Sequence, residues 1–240
     1  MPPEAAFVLA AGLGTRMRPL TDATPKALLR VRGRALLDHA LLRAREGGAR
    51  RAVVNVHHLA AQIRAHLAAG APLPVEISDE SEMLLDTGGG AARAAPRLGP
   101  RPFYTLNSDA IWTGAAPLPA LARAWDPERM DALLLLVPIE AARSYTRAGD
   151  FRLGPDGRPE RRGEAPHAPF VHTGAQIIRP EAFADAPAGA FSMNRVWDAL
   201  IARGRLHAVV HDGGWVDVGA PAGLAEAEAA LAADAAETAP

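Results

Sequence analysis

Short apolar runs alternate with segments of helical periodicity along the first 140 residues, and that alternation leaves few folds open. Residues 5–10 (AAFVLA), 52–56 (AVVNV), 74–78 (PVEIS), 102–109 (PFYTLNSD) and 132–140 (ALLLLVPIE) read as strands. Between them, 35–46 (ALLDHALLRARE) sets Leu37, Ala40, Leu41 and Ala44 on one helical face and stops at Gly47-Gly48. Residues 59–70 (LAAQIRAHLAAG) form a second helix closed by glycine. Strands separated by helices need crossover connections. This predicts an α/β fold: a Rossmann-like, mostly parallel sheet with helices on both faces.

The rhythm changes past about residue 145. Pro155-Asp156-Gly157-Arg158 is a turn signal between two short strands. A strand at 170–179, a helix at 193–204, a strand at 206–212 and a terminal helix at 222–236 follow, and the tail ETAP (237–240) is expected to fray. This second part reads as a small α+β extension of the same unit. No repeat of fixed period and no linker divides the chain, and 240 residues suit a single core.

Net charge is −1, so neither nucleic acid nor an anionic membrane is an expected partner. Absence of cysteine excludes disulfides and thiolate metal sites and fits a reducing compartment. The N-terminus lacks the pattern of a secretory signal, and the run 132–139 is too short to span a bilayer. A cytoplasmic protein, monomeric or a small homo-oligomer, with small-molecule partners is the expectation.

Any cationic chemistry must then be local, and one stretch concentrates it. Residues 8–29, VLAAGLGTRMRPLTDATPKALL, follow the first strand. Ligands of open α/β sheets bind beyond the carboxyl ends of the strands. Gly12 and Gly14 let the backbone turn and bring N–H groups to a ligand, while Arg16, Arg18 and Lys26 add charge. Backbone donors, an arginine fork and a point charge together suit a polyphosphate. The dinucleotide pattern G-x-G-x-x-G fails because Met17 holds its sixth position, and the P-loop spacing is absent. A glycine-rich turn with solvated basic residues would also satisfy a bare G-x-G; the whole string is more specific.

A metal is the usual partner of a triphosphate, and Mg²⁺ prefers carboxylate and phosphate oxygens. Asp109, at the end of YTLNSD, and Asp217, in GGWVDVG, are candidate ligands. Either alone could equally be a cap or a turn residue. A carboxylate among apolar neighbours such as those of Asp217 is costly to bury without a cation or donors.

These residues resemble the sugar-1-phosphate nucleotidyltransferases. Their G-x-G-[ST]-R, Leu-Thr and Pro-Lys pattern is met by Gly12, Gly14, Thr15, Arg16, Leu20, Thr21, Pro25 and Lys26. Asn107-Ser108-Asp109 is similar to their N-[GSA]-D segment, and Trp215 to Gly219 to their W-x-D-x-G segment. The likeness runs from about residue 5 to 230. It implies the nucleotide-diphospho-sugar transferase fold, with a nucleotide-binding half over about 1–140. The sugar-binding part, with the second metal aspartate, would cover about 141–232. It implies that Ala11, Gly12, Gly14, Thr15, Arg16 and Lys26 hold the triphosphate. Arg16, Lys26 and Asp109 would be catalytic, and Asp109 and Asp217 would bind Mg²⁺.

The segment LDTGGGAARAAP (85–96) places three glycines before an Ala-rich helix, which suggests close backbone approach to a flat ligand. Many relatives read G-T-A-G there. The variant TGGG, with GDFRL at 149–153, resembles the N-acetylmuramate-1-phosphate uridylyltransferase branch. By that resemblance Asp86, Thr87, Gly88 and Gly89 lie near the base and Asn107 near the ribose or metal. Gly149, Asp150, Glu164, Thr173 and Gly174 would line the sugar pocket.

One departure stands out. Many relatives carry Glu-Lys-Pro before the strand at 170–178, where this chain reads Glu164-Ala165-Pro166, so either Arg161 or Arg162 supplies the charge or the acceptor is held differently. His57 could reach the cleft, though local packing is as good a reading. Trp112, Trp125 and Trp197 read as packing residues, and Arg93, Arg97 and Arg101 as a solvated face. The expected reaction joins UTP and N-acetylmuramate 1-phosphate in cell-wall recycling. GTP with mannose 1-phosphate, phosphocholine cytidylyl transfer and a catalytically silent nucleotide-sugar sensor are the alternatives. A fused hexapeptide-repeat acetyltransferase, found in some relatives, is not expected.

Overall fold

The structure is a computed structural model that describes residues 1–237; the terminal helix extends through Glu237, the first residue of the tail expected to fray, and 238–240 lie outside the described residues. In chain order the elements begin with β1 (Ala5–Leu9), β2 (Arg30–Val31), β3 (Arg34–Ala35), α1 (Leu36–Glu46), β4 (Arg51–Val56), α2 (Ala60–Ala69) and β5 (Val75–Asp79). There follow α3 (Asp86–Leu98), β6 (Phe103–Asn107), β7 (Ala110–Thr113), α4 (Pro117–Ala124), β8 (Ala132–Pro138) and β9 (Ala142–Arg143). The chain continues through β10 (Phe151–Leu153), β11 (Pro159–Arg161), β12 (Phe170–Ile178), α5 (Asn194–Ala202), β13 (Leu206–Val210), β14 (Gly214–Asp217) and α6 (Pro221–Glu237).

The main sheet runs β5-β4-β1-β6-β12-β8-β13, with the β10–β11 hairpin laid against the start of β12. Strands β1, β4, β5 and β6 pair in parallel, as do β8 and β13; β12 is antiparallel to both of its long neighbours. The expected mostly parallel sheet is therefore present, with one reversed strand at its centre. Helices cover both faces, because strand residues alternate between two cores. Leu133, Leu135 and Val137 of β8 join the core that also takes Leu37 and Leu41 of α1 and Ile63 of α2. Ala132, Leu134 and Leu136 join the core that takes Ala91 of α3 and Trp197 of α5. An uninterrupted apolar run is what a strand buried on both faces requires.

Helix α1 buries the four residues expected of it, together with Leu36. Gly48, at φ +100°, turns the chain out of it, a conformation glycine adopts without penalty. The β2–β3 hairpin, α4, β7, β9 and β14 are additions to the expected element order. Strands β7, β14 and β9 make a separate small sheet, closed off by Val31, Ile111, Val216, Ala227 and Ala230 in a third core. Among the described residues no helix is long and apolar enough to cross a membrane.

Candidate active site

The carboxyl ends of β1, β4 and β6 open onto a cleft of about 400 Å³. Ala11, Gly12, Gly14, Thr15, Arg16, Lys26, Asp86, Thr87, Asn107 and Asp109 line it, with Gly219 joining from the end of β14. The loop after β1 is held by its own contacts. Gly14, at φ +64°, lets its carbonyl accept from Met17 N (2.9 Å) and Thr21 Oγ1 (2.8 Å). A side chain there would meet Thr21 Cγ2 at 2.9 Å. Met17 is fully buried and pins the turn, which leaves Arg16 exposed at the mouth.

Strand β6 stops at Asn107 rather than 109, so Asp109 sits in the following turn. There its Oδ2 accepts from Lys26 Nζ at 2.6 Å. Burial alone would raise the Asp109 carboxyl, but the Lys26 ammonium, its hydrogen bond and Arg16 outweigh that and hold it below the usual carboxylate range. Asp217 reaches the same place because β14 pairs with β7, Asp217 opposite Ala110, and Val218 N donates to Asp109 O at 2.9 Å. Asp217 is 8% exposed. Burial, then the Asp109 charge, push its carboxyl up against the weaker pull of Arg147, Lys26 and Arg16. Arg147 Nη2 stands 4.0 Å from Asp217 Oδ2.

Two facing carboxylates, one of them disfavoured by burial and by its neighbour, fit a divalent cation. Among the described residues no cluster of three or more histidine or acidic side chains could hold a metal. Phosphate oxygens and water would have to complete the shell of any ion held by Asp109 and Asp217, the arrangement magnesium accepts. Gly219 is packed against this pair. A methyl there would lie 2.8 Å from Asp217 Oδ1 and 3.0 Å from both terminal nitrogens of Arg16. Gly219→Ala is expected to lower kcat/KM about 10–10²-fold by displacing those side chains. Its melting temperature should be preserved, because the neighbours are side-chain ends; steady-state kinetics beside a thermal melt checks both.

The segment expected at the base is arranged differently from the sequence reading. The three glycines lie inside α3, not before it. The N–H groups of Gly88 and Gly89 both donate to Phe191 O, at 2.9 and 3.0 Å, so neither is free for a ligand. A Cβ on Gly88 would meet the Phe191 ring at 2.5 Å, and one on Gly89 would meet Gly189 O, so these glycines serve packing. Asp86 and Thr87 remain on the cleft wall.

A second cavity of about 280 Å³ adjoins the first and shares Leu9, Asp86, Thr87 and Asn107 with it. Asp150 and Gly174 line it. Asp150 also accepts from His172 N (3.0 Å) and Tyr145 Oη (3.4 Å). The other three expected sugar-pocket residues do not line it. Thr173 is 1% exposed and donates to Leu135 O at 3.0 Å; Gly149 is packed on Ala168; Glu164 is exposed. Of the two neighbouring arginines, Arg161 lines the cavity, bonded to Asn194 Oδ1 and lying over the Trp197 ring at 5.7 Å. Arg162 turns away, donating to Gly149 O and Ala165 O.

Arg147, His172, Gln176 and Asn194 also line this cavity, and no motif marks them in the sequence. Trp197, expected to be packing only, is both: it forms part of the wall while its Nε1 donates to Gln176 Oε1 at 2.9 Å. His172 is no cation at neutral pH, because burial pushes it down to about 4 despite Asp150. His57 is engaged by Glu80 O at 2.6 Å, the local-packing reading.

A glycine loop, a lysine–aspartate pair and a second aspartate at the carboxyl edge of a mostly parallel sheet define a nucleotide-processing α/β enzyme. The chain belongs to the nucleotidyl transferase family, whose sequence profile it matches over residues 5–234. This family makes nucleotide-sugars from a nucleoside triphosphate and a sugar 1-phosphate and works with a divalent metal. The chain is 44% identical over 236 residues, 96% of its length and 98% of the relative's, to N-acetylmuramate alpha-1-phosphate uridylyltransferase of Caulobacter vibrioides. It is 36% identical to the enzyme of the same name from Neisseria meningitidis, over 93% of this chain and 96% of that one. Its fold matches the inositol-1-phosphate CTP transferase of T. maritima with a TM-score of 0.81 at 16% identity, over 100% and 99% of the two chains.

Proposed function

We propose that the protein joins UTP to N-acetylmuramate 1-phosphate, releasing pyrophosphate, in the recycling of cell-wall sugar. The likeness that carries this reading is the 44% identity, over nearly both full lengths, to a relative named for that reaction. The acceptor's phosphate oxygen attacks the α-phosphorus in line, and the bridging bond to the β-phosphate breaks with its electron pair leaving on pyrophosphate. The attacking oxygen is already anionic, so no side chain need take a proton from it. The protein positions the reactants and offsets charge.

Ala11, Gly12, Gly14 and Thr15 cradle the triphosphate, and Arg16 and Lys26 offset charge on the transferring group. Asp86 and Thr87 face the base and Asn107 the ribose. Asp109 and Asp217 would hold Mg²⁺, which supplies charge neutralisation at the triphosphate when bound. Residues 1–140 form the nucleotide half and 141–232 the sugar part, where Asp150 and Gly174 meet the acceptor. Arg147 and Arg161 stand in for the absent lysine: two guanidinium groups line the acceptor cavity, and a guanidinium grips phosphate bidentately where an ammonium is a point charge.

The test is pyrophosphate release with Mg²⁺, crossing UTP, GTP, CTP and dTTP against the 1-phosphates of N-acetylmuramate, N-acetylglucosamine, mannose and glucose, and phosphocholine. Selective release with UTP and N-acetylmuramate 1-phosphate is expected. Release with GTP and mannose 1-phosphate would keep the mechanism and overturn the substrate pair. Arg161→Ala should raise KM for the sugar phosphate about tenfold or more and leave KM for UTP unchanged, the cost of one lost charged hydrogen-bonding group.

A further inference from the structure

Glu80 follows directly on β5 and is 1% exposed, yet among the described residues no lysine, arginine or histidine nitrogen forms an ion pair within 4.0 Å of its carboxylate. A carboxylate buried without a counter-ion is costly unless its oxygens are fully used. Both are. Oε1 accepts from Asn55 Nδ2 at 2.8 Å, and Oε2 accepts from Leu85 N at 3.0 Å, one residue before α3. Asn55, 3% exposed at the end of β4, turns its Oδ1 to the other side and accepts from Ala10 N (2.7 Å) and Ala11 N (3.3 Å). The pair thus bridges the root of the glycine loop to the first turn of α3, the two walls of the larger cleft.

The bridge has a direction. Each of its ends is a backbone N–H, so both ends donate. Asn55 can accept on one side only if it donates on the other. Position 80 must then accept through both of its terminal atoms, which a carboxylate does and an amide, with one oxygen and one NH₂, cannot. Gly90 of α3 leaves the pair its space: a Cβ there would fall 2.9 Å from Glu80 Oε1 and 3.1 Å from Asn55 Nδ2.

We propose that Asn55 and Glu80 are positioning residues: they set the spacing between the phosphate-facing loop and the first turn of α3, and through it the affinity for the nucleoside triphosphate. This rests on the reading of the larger cleft as the triphosphate site. It is testable because the hydrogen-bond polarity can be broken and then restored. Glu80→Gln leaves two donors face to face. Asn55→Asp sets two carboxylates against each other. The double variant exchanges the amide and the carboxylate: the acid at 55 accepts from Ala10 N, Ala11 N and the new amide, whose oxygen accepts from Leu85 N. Every donor is matched again, at unchanged net charge.

UTP binding by titration calorimetry and the two KM values would be measured for the wild type, both single variants and the double. Each single variant is expected to weaken UTP about tenfold, the usual cost of one unmatched buried donor or acceptor, with KM for the sugar phosphate held within about twofold. The double variant is expected to return within about threefold of wild type. Single variants that bind UTP like wild type overturn the proposal, as does a double variant no better than the singles. Should a single variant fail to fold, the double, with all its donors matched, decides alone: near-wild-type affinity supports the bridge and weak affinity overturns it. A wild type that binds none of the four triphosphates removes the cleft assignment and the bridge together, an outcome distinct from a wild type that binds while the variants are unaffected.

Discussion

Asp217→Asn is expected to lower turnover about 10²–10³-fold while the free protein stays folded and melts no lower than wild type at neutral pH. The first half follows from position. Asp217 lies close enough to Asp109 to feel its charge, and on the proposed reading these two carboxylates would hold the divalent ion, so the amide removes one of the two. The second half follows from charge. Burial and the Asp109 carboxylate raise the Asp217 carboxyl, so its ionised form is disfavoured in the folded state. A group raised in this way adds stability below its unfolded pKa and loses it as pH rises through the folded value. At neutral pH the charge is therefore a burden that an amide lifts. Added Mg²⁺ should raise the melting temperature of the wild type and not of the variant. A thermal melt with and without metal, beside initial rates, reads both effects. A variant that keeps its turnover would remove Asp217 from the catalytic machinery, whereas a wild type that binds nucleotide-sugar and turns nothing over would point to a sensor.

Lys26→Met should lose turnover on the same scale, about 10²–10³-fold, but destabilise the fold. Lys26 Nζ lies 2.6 Å from Asp109 Oδ2, and that contact is what keeps the Asp109 carboxyl low despite burial. Without it the carboxylate keeps its desolvation and loses its partner, costing about 1.5–3 kcal/mol. For a chain of this size that is a fall of roughly 3–12 °C in Tm. The sign with pH is opposite to that of Asp217. A depressed carboxylate contributes stability above its unfolded pKa and loses it as pH falls through the folded value, so the wild type's advantage over Lys26→Met should shrink on acidification. Melting curves from neutral to acid pH test this. Coincident curves for the two proteins would mean that the ion pair carries no net stability, and a constant offset that its contribution does not depend on Asp109 ionisation.

Much of this site is legible in the chain's residues alone. The loop at 11–26 declares itself because phosphate binding needs glycines and cations in a spacing that chance seldom supplies. Asp109 and Asp217 are 108 residues apart, yet each sits in a short context of its own. The doubly covered β8 is visible as an unbroken apolar run. What stays hidden depends on which backbone faces which. Gly88 and Gly89 look identical in sequence whether they approach a base or the Phe191 loop, and here they approach the loop. Arg147 lies in a polar stretch with no periodicity. Arg161 and Arg162 are neighbours, and only the course of the β10–β11 hairpin decides which one faces the cavity. The bridge from Asn55 to Glu80 is a matter of donor and acceptor polarity across 25 residues, which composition does not record.

Thr87 belongs to both compartments. It lines the larger cleft and the smaller one, and its Oγ1 accepts from Met193 N at 2.9 Å, next to the Ser192 and Asn194 that line the smaller one. A ligand that draws the first turn of α3 towards itself therefore draws the neighbouring wall as well. Linkage then works in both directions: whatever occupancy of one compartment does to affinity in the other is returned by the same factor. Two substrates bound on either side of that partition, as the proposed function has them, would report each other's arrival through it.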